Sequence, residues 1–175
     1  YSSKRLPGKV LKKILGITVL QRVVNQVKKS KEINKIIIAT SKHKTDKKII
    51  NFCYKNKIHC ISGPLNNVFK RFYSIIVHEH CKSFVRISAD SPLIDPSLID
   101  RAVTIFNKNR YDIVTNVFPR TFPKGQSVEI ISSDTFLNAF NEKFFSSQDQ
   151  EHVTSHFYLN EKDYSIYNFR NRCRK

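Results

Sequence analysis

Methionine is absent from this 175-residue chain, so not even an initiator is present. The chain opens inside a polar stretch, Tyr1-Ser2-Ser3-Lys4-Arg5, and the natural protein is expected to extend further toward the N-terminus. No apolar run approaches the about 20 residues needed to span a bilayer, and the opening residues lack the apolar stretch of a signal peptide. A cytoplasmic protein with no membrane partner is the expectation. The four cysteines, Cys53, Cys60, Cys81 and Cys173, form no CxxC pair. Zinc-ligand spacing is therefore missing, and reduced thiols are expected.

Acidic residues are scarce. Lys and Arg number 31 against 14 Asp and Glu, for a net charge of +17. That excess suits a polyanion, either nucleic acid or a nucleoside triphosphate. The lysines are spread along the whole chain, however, as on a solvated basic surface, and charge does not choose between these readings. Also missing are the GxxxxGK[ST] spacing of a Walker A loop, internal repeats, and any Pro/Ser-rich linker. One domain over residues 1–175 is expected, long enough for a true core with 40% hydrophobic residues.

What is present is an alternation of short apolar runs and amphipathic helices. Thr18 is placed to cap a helix carrying Leu20, Val23, Val24 and Val27. Residues 35–41, with three successive isoleucines, read as a strand covered on both faces. Thr45 opens a second helix with Ile49, Ile50 and Cys53, and residues 58–62 form a strand ended by Gly63-Pro64. A third helix spans about 67–81, followed by a strand at 83–89. Asp95-Pro96 marks a helix start, with Asp as cap and Pro at the first helical position. Strands are predicted at 112–117 and 127–131, helices at 135–144 and 148–159, and a last strand at 164–169. This alternation predicts an α/β fold of three layers, αβα, with a mostly parallel sheet. Ligands in such sheets sit beyond the carboxyl ends of the strands.

Two segments carry chemistry there. In Ser2-Ser3-Lys4-Arg5-Leu6-Pro7-Gly8-Lys9, Pro7 restricts the loop and Gly8 lets backbone approach a ligand. Arg5 and Lys9 bracket the turn with a planar fork and a point charge, a combination suited to polyphosphate. A basic surface turn would carry the same residues. In Arg86-Ile87-Ser88-Ala89-Asp90-Ser91-Pro92-Leu93-Ile94-Asp95, Asp90 falls at the strand tip, where a carboxylate can hold Mg²⁺ while phosphates complete its shell. Asp95 is accounted for as a helix cap.

The SxRLPGK loop followed by a strand ending R-I-S-A-D-S-P-L-I resembles the sugar cytidylyltransferases, the group of the acylneuraminate and 3-deoxy-manno-octulosonate enzymes, and within it the SpsF-like spore-coat-polysaccharide branch. Further matching segments follow in order: residues 37–41; Gly63 through Val68 to Arg71-Phe72; Phe122-Pro123-Lys124-Gly125 leading to Val128-Glu129; and Glu151-His152-Val153-Thr154. The resemblance runs from residue 2 to about 169. It implies a Rossmann-like, GT-A-like nucleotide-diphospho-sugar transferase architecture and transfer of CMP from CTP to a sugar or sugar acid. By the same resemblance, Arg5 and Lys9 contact the CTP phosphates and Asp90 binds Mg²⁺, these three being the catalytic set. Ser3, Gly8, Ala89 and Arg71 border the nucleotide, while Glu129, Glu151 and His152 face the sugar. A homodimer is common among such enzymes.

The chain also departs from that pattern. Tyr1 stands near a position where family members carry Arg, Asn67 stands where the branch has Asp, and a second metal-binding Asp is expected beyond residue 175. Other readings stay open for individual residues. Arg71 also fits the polar side of its helix, and Glu129 also fits a solvent-facing strand position. Glu151 and His152 also fit a polar helix start. His152 and His156 share a helical spacing without a third ligand, and His78-Glu79-His80-Cys81 reads as a solvated helix end. A glycosyltransferase of related fold would want an Asp-x-Asp pair, but Ser91-Pro92 follows Asp90. A nucleic-acid-binding module would want one of the familiar recognition motifs, and none occurs. A truncated product that only binds other proteins is the remaining alternative.

Overall fold

The structure, a computed structural model, describes residue 6, residues 8–141 and residues 153–171. A short hairpin, β1 (Lys13–Ile14) and β2 (Ile17–Thr18), leads into helix α1 (Val19–Val27). Thr18 caps α1 as expected, its hydroxyl oxygen accepting from the Gln21 N–H at 3.1 Å. Then come β3 (Ile37–Ser41), α2 (Lys47–Lys55), β4 (His59–Gly63), α3 (Val68–Glu79), β5 (Ser83–Arg86) and α4 (Pro96–Lys108). The described chain continues through β6 (Ile113–Thr115), β7 (Glu129–Ser132), α5 (Ser133–Asn141), α6 (Ser155–Leu159) and β8 (Ile166–Asn168).

β3 and β4 pair in parallel, while β5, β7, β6 and β8 form a second sheet in that order. The sheets are more mixed than the alternation of strands and helices suggests. β7 runs antiparallel to both β5 and β6, whereas β8 is parallel to β6. The cause is local: residues 116–128 contain no helix, so the chain leaving β6 returns directly alongside it instead of crossing over.

Three layers result. On one face of the sheet Val23, Val27, Ile99, Ala102 and Val103 of α1 and α4 pack against Val114, Val128 and Ile130. On the other, Phe69, Ile76, Phe136, Ala139 and Phe157 of α3, α5 and α6 cover Ile113 and Ile131. Neighbours such as Ile113–Val114 and Ile130–Ile131 are both fully buried because successive strand residues point to opposite, equally covered faces. The Phe69 and Phe136 rings stack at 4.0 Å, adding about 0.5–1.5 kcal/mol beyond their burial.

Some predicted boundaries move. The second helix starts at Lys47, not Thr45, because residues 44–46 form a 3₁₀ turn first, and Asp46 turns its carboxylate back to Ser41. β5 stops at Arg86, short of residue 89. Of the predicted helix over 148–159, residues 148–152 lie outside the described residues, Val153 and Thr154 form a turn, and the helix begins at Ser155.

Candidate active site

β5 leaves the sheet after Arg86, and a turn closed by the Ser91 N–H on the Ser88 carbonyl at 3.2 Å carries Ala89 and Asp90 into solvent. The Ser88 hydroxyl donates to Asp90 Oδ1 at 2.5 Å and fixes one oxygen of the carboxylate. The other oxygen, Oδ2, takes the ammonium of Lys9. Lys9 comes from the far end of the chain, where Gly8 adopts a left-handed conformation (φ 69°) and starts a 3₁₀ turn. A residue with a Cβ would be strained there. Val10 and Leu11 anchor the turn by packing against the Leu20, Ile49 and Cys53 cluster of α1 and α2. The sequence therefore brings its cationic glycine turn and its strand-tip carboxylate to one point.

Burial raises the pKa of Asp90, but hydrogen bonds from Lys9 and Ser88 outweigh it and hold the carboxyl below its ordinary 3.8. Asp90 is ionised at neutral pH and its side chain is 34% exposed. A hard, anionic oxygen at a strand tip fits Mg²⁺, and the Lys9 ammonium already occupies Oδ2 as a cation does. Among the described residues no three His, Cys, Asp or Glu side chains gather as a metal cage.

Arg71 does more than line a helix surface. Its Nη2 donates to the Pro64 carbonyl at 2.8 Å and to the Leu65 carbonyl at 3.3 Å, with Nε on Pro64 at 3.3 Å. The guanidinium thereby holds the β4–α3 turn, beyond the carboxyl end of β4. Burial lowers its pKa and the nearby Asp46 carboxylate opposes that, but a guanidinium stays charged at neutral pH.

Glu129 is not at the solvent. It is 3% exposed, opposite Arg86 on β5 and Thr115 on β6, and both its oxygens are taken. Oε2 pairs with Arg86 Nη1, and Oε1 accepts from the Tyr158 hydroxyl at 2.7 Å. The Thr115 hydroxyl lies 3.1 Å from the same phenol and supplies its second hydrogen bond. Burial, reinforced by the Glu129 charge, pushes the Tyr158 phenol far above its ordinary value, so it stays a neutral donor. Gln126 joins the loop of residues 116–128 to the loop after Asp90. Its side-chain oxygen accepts from the Asp95 N–H at 2.9 Å, and its amide donates to the Leu93 carbonyl at 2.7 Å.

Lys9, Gly8, Ala89 and Asp90 thus share one region, with Arg71 on the turn after β4 and Glu129 beneath the strand ends. Ser3, Arg5, Glu151 and His152 lie outside the described residues. His156 contacts Tyr164 at 3.1 Å, and Glu79 pairs with Lys35. Asp95 caps α4 through the Ser97 N–H at 2.8 Å, as its sequence context indicates. Cys53, Cys60 and Cys81 are free thiols. Sequence reasoning missed Arg86, Tyr158 and Gln126. Only Arg86 carried a signal, sitting four residues before Asp90 on an otherwise apolar strand.

An open α/β sheet with a cation–carboxylate pair at its strand tips has its charged side chains where such sheets bind ligands. The whole chain, residues 1–175, matches the family described as Cytidylyltransferase, and the protein belongs to that family. It is 28% identical over 158 residues to the spore coat polysaccharide biosynthesis protein SpsF of Bacillus subtilis, covering 87% of this chain and 64% of that protein. It is 29% identical over 130 residues to a 3-deoxy-manno-octulosonate cytidylyltransferase of Chlamydia trachomatis, covering 71% of this chain and 49% of that enzyme. The chain spans about half to two thirds of the length of these relatives. A solved cytidylyltransferase from Leptospira borgpetersenii superposes with a TM-score of 0.91 at 26% identity, over 97% of this chain and 72% of that one. Among the described residues no helix is long and apolar enough to cross a membrane.

Proposed function

We propose that this chain forms the CTP-handling part of an enzyme that transfers CMP from CTP to a sugar or sugar acid, releasing pyrophosphate, in surface polysaccharide or glycan biosynthesis. The contact between Lys9 and Asp90 carries the reading, because it joins a flexible cation and an ionised carboxylate on separate loops at one strand end. Membership of the cytidylyltransferase family supports the reaction class. The names of the relatives, one a 3-deoxy-manno-octulosonate enzyme and one a polysaccharide biosynthesis protein, support the acceptor class.

In this reading a hydroxyl of the sugar attacks the α-phosphorus of CTP in line. A P–O bond forms there, the bond to pyrophosphate breaks, and the hydroxyl proton passes to solvent. Asp90 is the residue that would hold Mg²⁺, which when bound would supply neutralisation of the charge that builds on the leaving group. Lys9, on Asp90 Oδ2 in the absence of ligand, would turn to the phosphates when the nucleotide binds. Arg5 adds a second cation to the phosphates, with Ser3 and the Gly8 and Ala89 backbone bordering the nucleotide. Arg71 fixes the turn along its edge, and Glu129, Glu151 and His152 belong to the acceptor side. Positioning and charge neutralisation are the whole of the catalysis, so no covalent nucleophile is required. Pairing of two such chains belongs to the same reading, through surfaces that it leaves unassigned.

The test is incubation of the full-length enzyme with CTP, Mg²⁺ and a panel of sugar acids, following pyrophosphate and the CMP-sugar product. Pyrophosphate release that depends on both CTP and acceptor is expected. No release with any acceptor, or release equally well supported by other nucleoside triphosphates, overturns the reading.

A further inference from the structure

The α3/α5/α6 side of the sheet is apolar through Ile113, Ile131 and Phe84, then turns polar at the next row toward the strand ends, where Thr115, Glu129 and Arg86 stand side by side. A buried carboxylate beside an aromatic cluster carries a desolvation cost of several kcal/mol, and a structural role alone is commonly filled as well by apolar residues. Glu129 offsets that cost with a full set of partners: Arg86 on one oxygen and the Tyr158 phenol on the other. The Phe118 ring, stacked on Tyr158 at 4.7 Å, closes the side of the network.

The partners are complete around the carboxylate and incomplete around the guanidinium. Among the described residues Arg86 has one hydrogen-bond partner, through Nη1, and its side chain remains 32% exposed. A guanidinium offers five N–H donors in a rigid plane, so among the described residues most of the fork carries no hydrogen bond while Glu129 fixes its orientation. Its position also separates it from Lys9. The Lys9 turn is anchored on the α1/α2 side of Asp90, and Arg86 is tied to β7, β6 and α6 on the other.

We infer that Arg86 is the specificity-determining residue for the acceptor. It takes an anionic oxygen of the incoming sugar, and Glu129, with Tyr158, is the positioning residue that aims it. The inference rests on the cytidylyl-transfer reading and deepens it: it names the side chain through which this site tells a carboxylate-bearing sugar acid from a neutral sugar. It also moves Glu129 from direct acceptor contact to a place one residue behind. A planar fork fits a carboxylate through two parallel hydrogen bonds, which a hydroxyl cannot match.

The experiment compares sugar acids with the same sugars after reduction of the carboxylate to an alcohol, using the full-length enzyme. Pyrophosphate release gives kcat/KM for each acceptor, and calorimetry gives the affinity for CTP with Mg²⁺. Arg86→Gln is expected to lower kcat/KM for the acid by about 10–100-fold, the loss typical of a charge-assisted pair, with little change for the alcohol and less than about twofold change in CTP affinity. Arg86→Lys recovers part of the loss, and Glu129→Gln gives an intermediate loss with the same selectivity for the acid. If Arg86→Gln fails to fold because Glu129 is left unpaired, the Arg86→Gln/Glu129→Gln double variant removes both charges and is expected to lose the acid preference in the same way. Equal losses for acid and alcohol, or a loss that falls on CTP affinity, overturn the assignment and make Arg86 a structural or a phosphate contact. Should the unmodified enzyme release no pyrophosphate at all, the functional reading falls with it. If it does release pyrophosphate and Arg86→Gln keeps its preference for the acid, only the role of Arg86 falls.

Discussion

Lys9 and Asp90, 81 residues apart in sequence, meet as an ion pair at the carboxyl end of β5. Neither is held there by the other. Gly8 and the packing of Val10 and Leu11 set the position of the lysine backbone, while the Ser88–Ser91 turn sets that of the aspartate. With side chains 38% and 34% exposed, the pair gains little stability from its own attraction. Its placement makes better sense as the resting state of a site whose ligand brings both a metal and phosphates.

Asp90→Asn is therefore expected to remove pyrophosphate release, by at least about 100-fold, the scale of losing one directed electrostatic contact to the developing charge. Thermal unfolding is expected to shift little, because the side chain lies outside both main core clusters. Asparagine still accepts from Ser88, so the turn itself is retained. Turnover preserved in a folded Asp90→Asn enzyme would remove Asp90 from the metal-binding role.

The same carboxylate makes a pH-dependent contribution to stability. Its folded-state pKa is depressed below 3.8, so the contribution is present above that value and disappears as pH falls through the lower, folded value. Wild type and Asp90→Asn should accordingly differ most between about pH 5 and 7, and converge in acid as both carry a neutral group. Urea midpoints measured across that range give the comparison. Partial exposure keeps the difference small, and a gap that widens on acidification would contradict the depressed pKa.

Much of this site was legible in the chain because its parts are punctuation. Gly8 and the Asp95-Pro96 helix start each fix backbone locally, and both lie where their residue types require, whereas β5 ends at Arg86, well before Pro92. Layering was legible for a similar reason, since runs such as residues 36–38 and 130–131 demand cover on both faces. The orientation of β7 was not, because an antiparallel return depends on the absence of a helix in residues 116–128, and Pro and Gly there mark a loop of any path. Glu129 was legible as a polar residue in an apolar strand, but its burial depends on Arg86 and Tyr158, which are brought opposite it by strand register and helix packing. Spacing within one segment carries no information about such partners.

Gly63 makes a prediction about the turn after β4. A Cβ there would lie 2.9 Å from Arg71 Cγ and 3.3 Å from Arg71 Cβ, atoms near the α3 backbone that cannot swing away. Gly63→Ala should cost about 1–3 kcal/mol by overpacking. Arg71→Ala makes room but releases the Pro64 and Leu65 carbonyls, so it is destabilising by itself. In the double variant the 2.9 Å approach is removed and only the milder 3.3 Å approach to the retained Cβ is left, so the two effects should fail to add by more than about 0.5 kcal/mol. Chemical denaturation of the four proteins measures this coupling; strict additivity would mean the helix shifts to admit the methyl group.

Among the described residues, Gln126 is the side chain that joins the residues 116–128 loop to the Asp90–Asp95 loop by hydrogen bonds, through Leu93 and Asp95. The buried Asn116 holds the first loop from within, donating to the Gln126 carbonyl at 2.7 Å and accepting from the Val128 N–H at 2.9 Å. Movement of Gln126 is thus movement of the loop that carries the metal-binding candidate. Gln126→Ala should cost only about 0.5–1.5 kcal/mol in stability, as water can reach the freed groups. Turnover should fall by about 10-fold or more, since small displacements of a catalytic group are amplified in rate. Gln126→Glu separates the two bonds: it can still accept from Asp95 but cannot donate to Leu93. If Leu93 is what fixes the loop, this variant should behave like the alanine variant in pyrophosphate release while keeping most of the stability of the wild type. Full activity in both variants would show that Asp90 is positioned by its own turn alone.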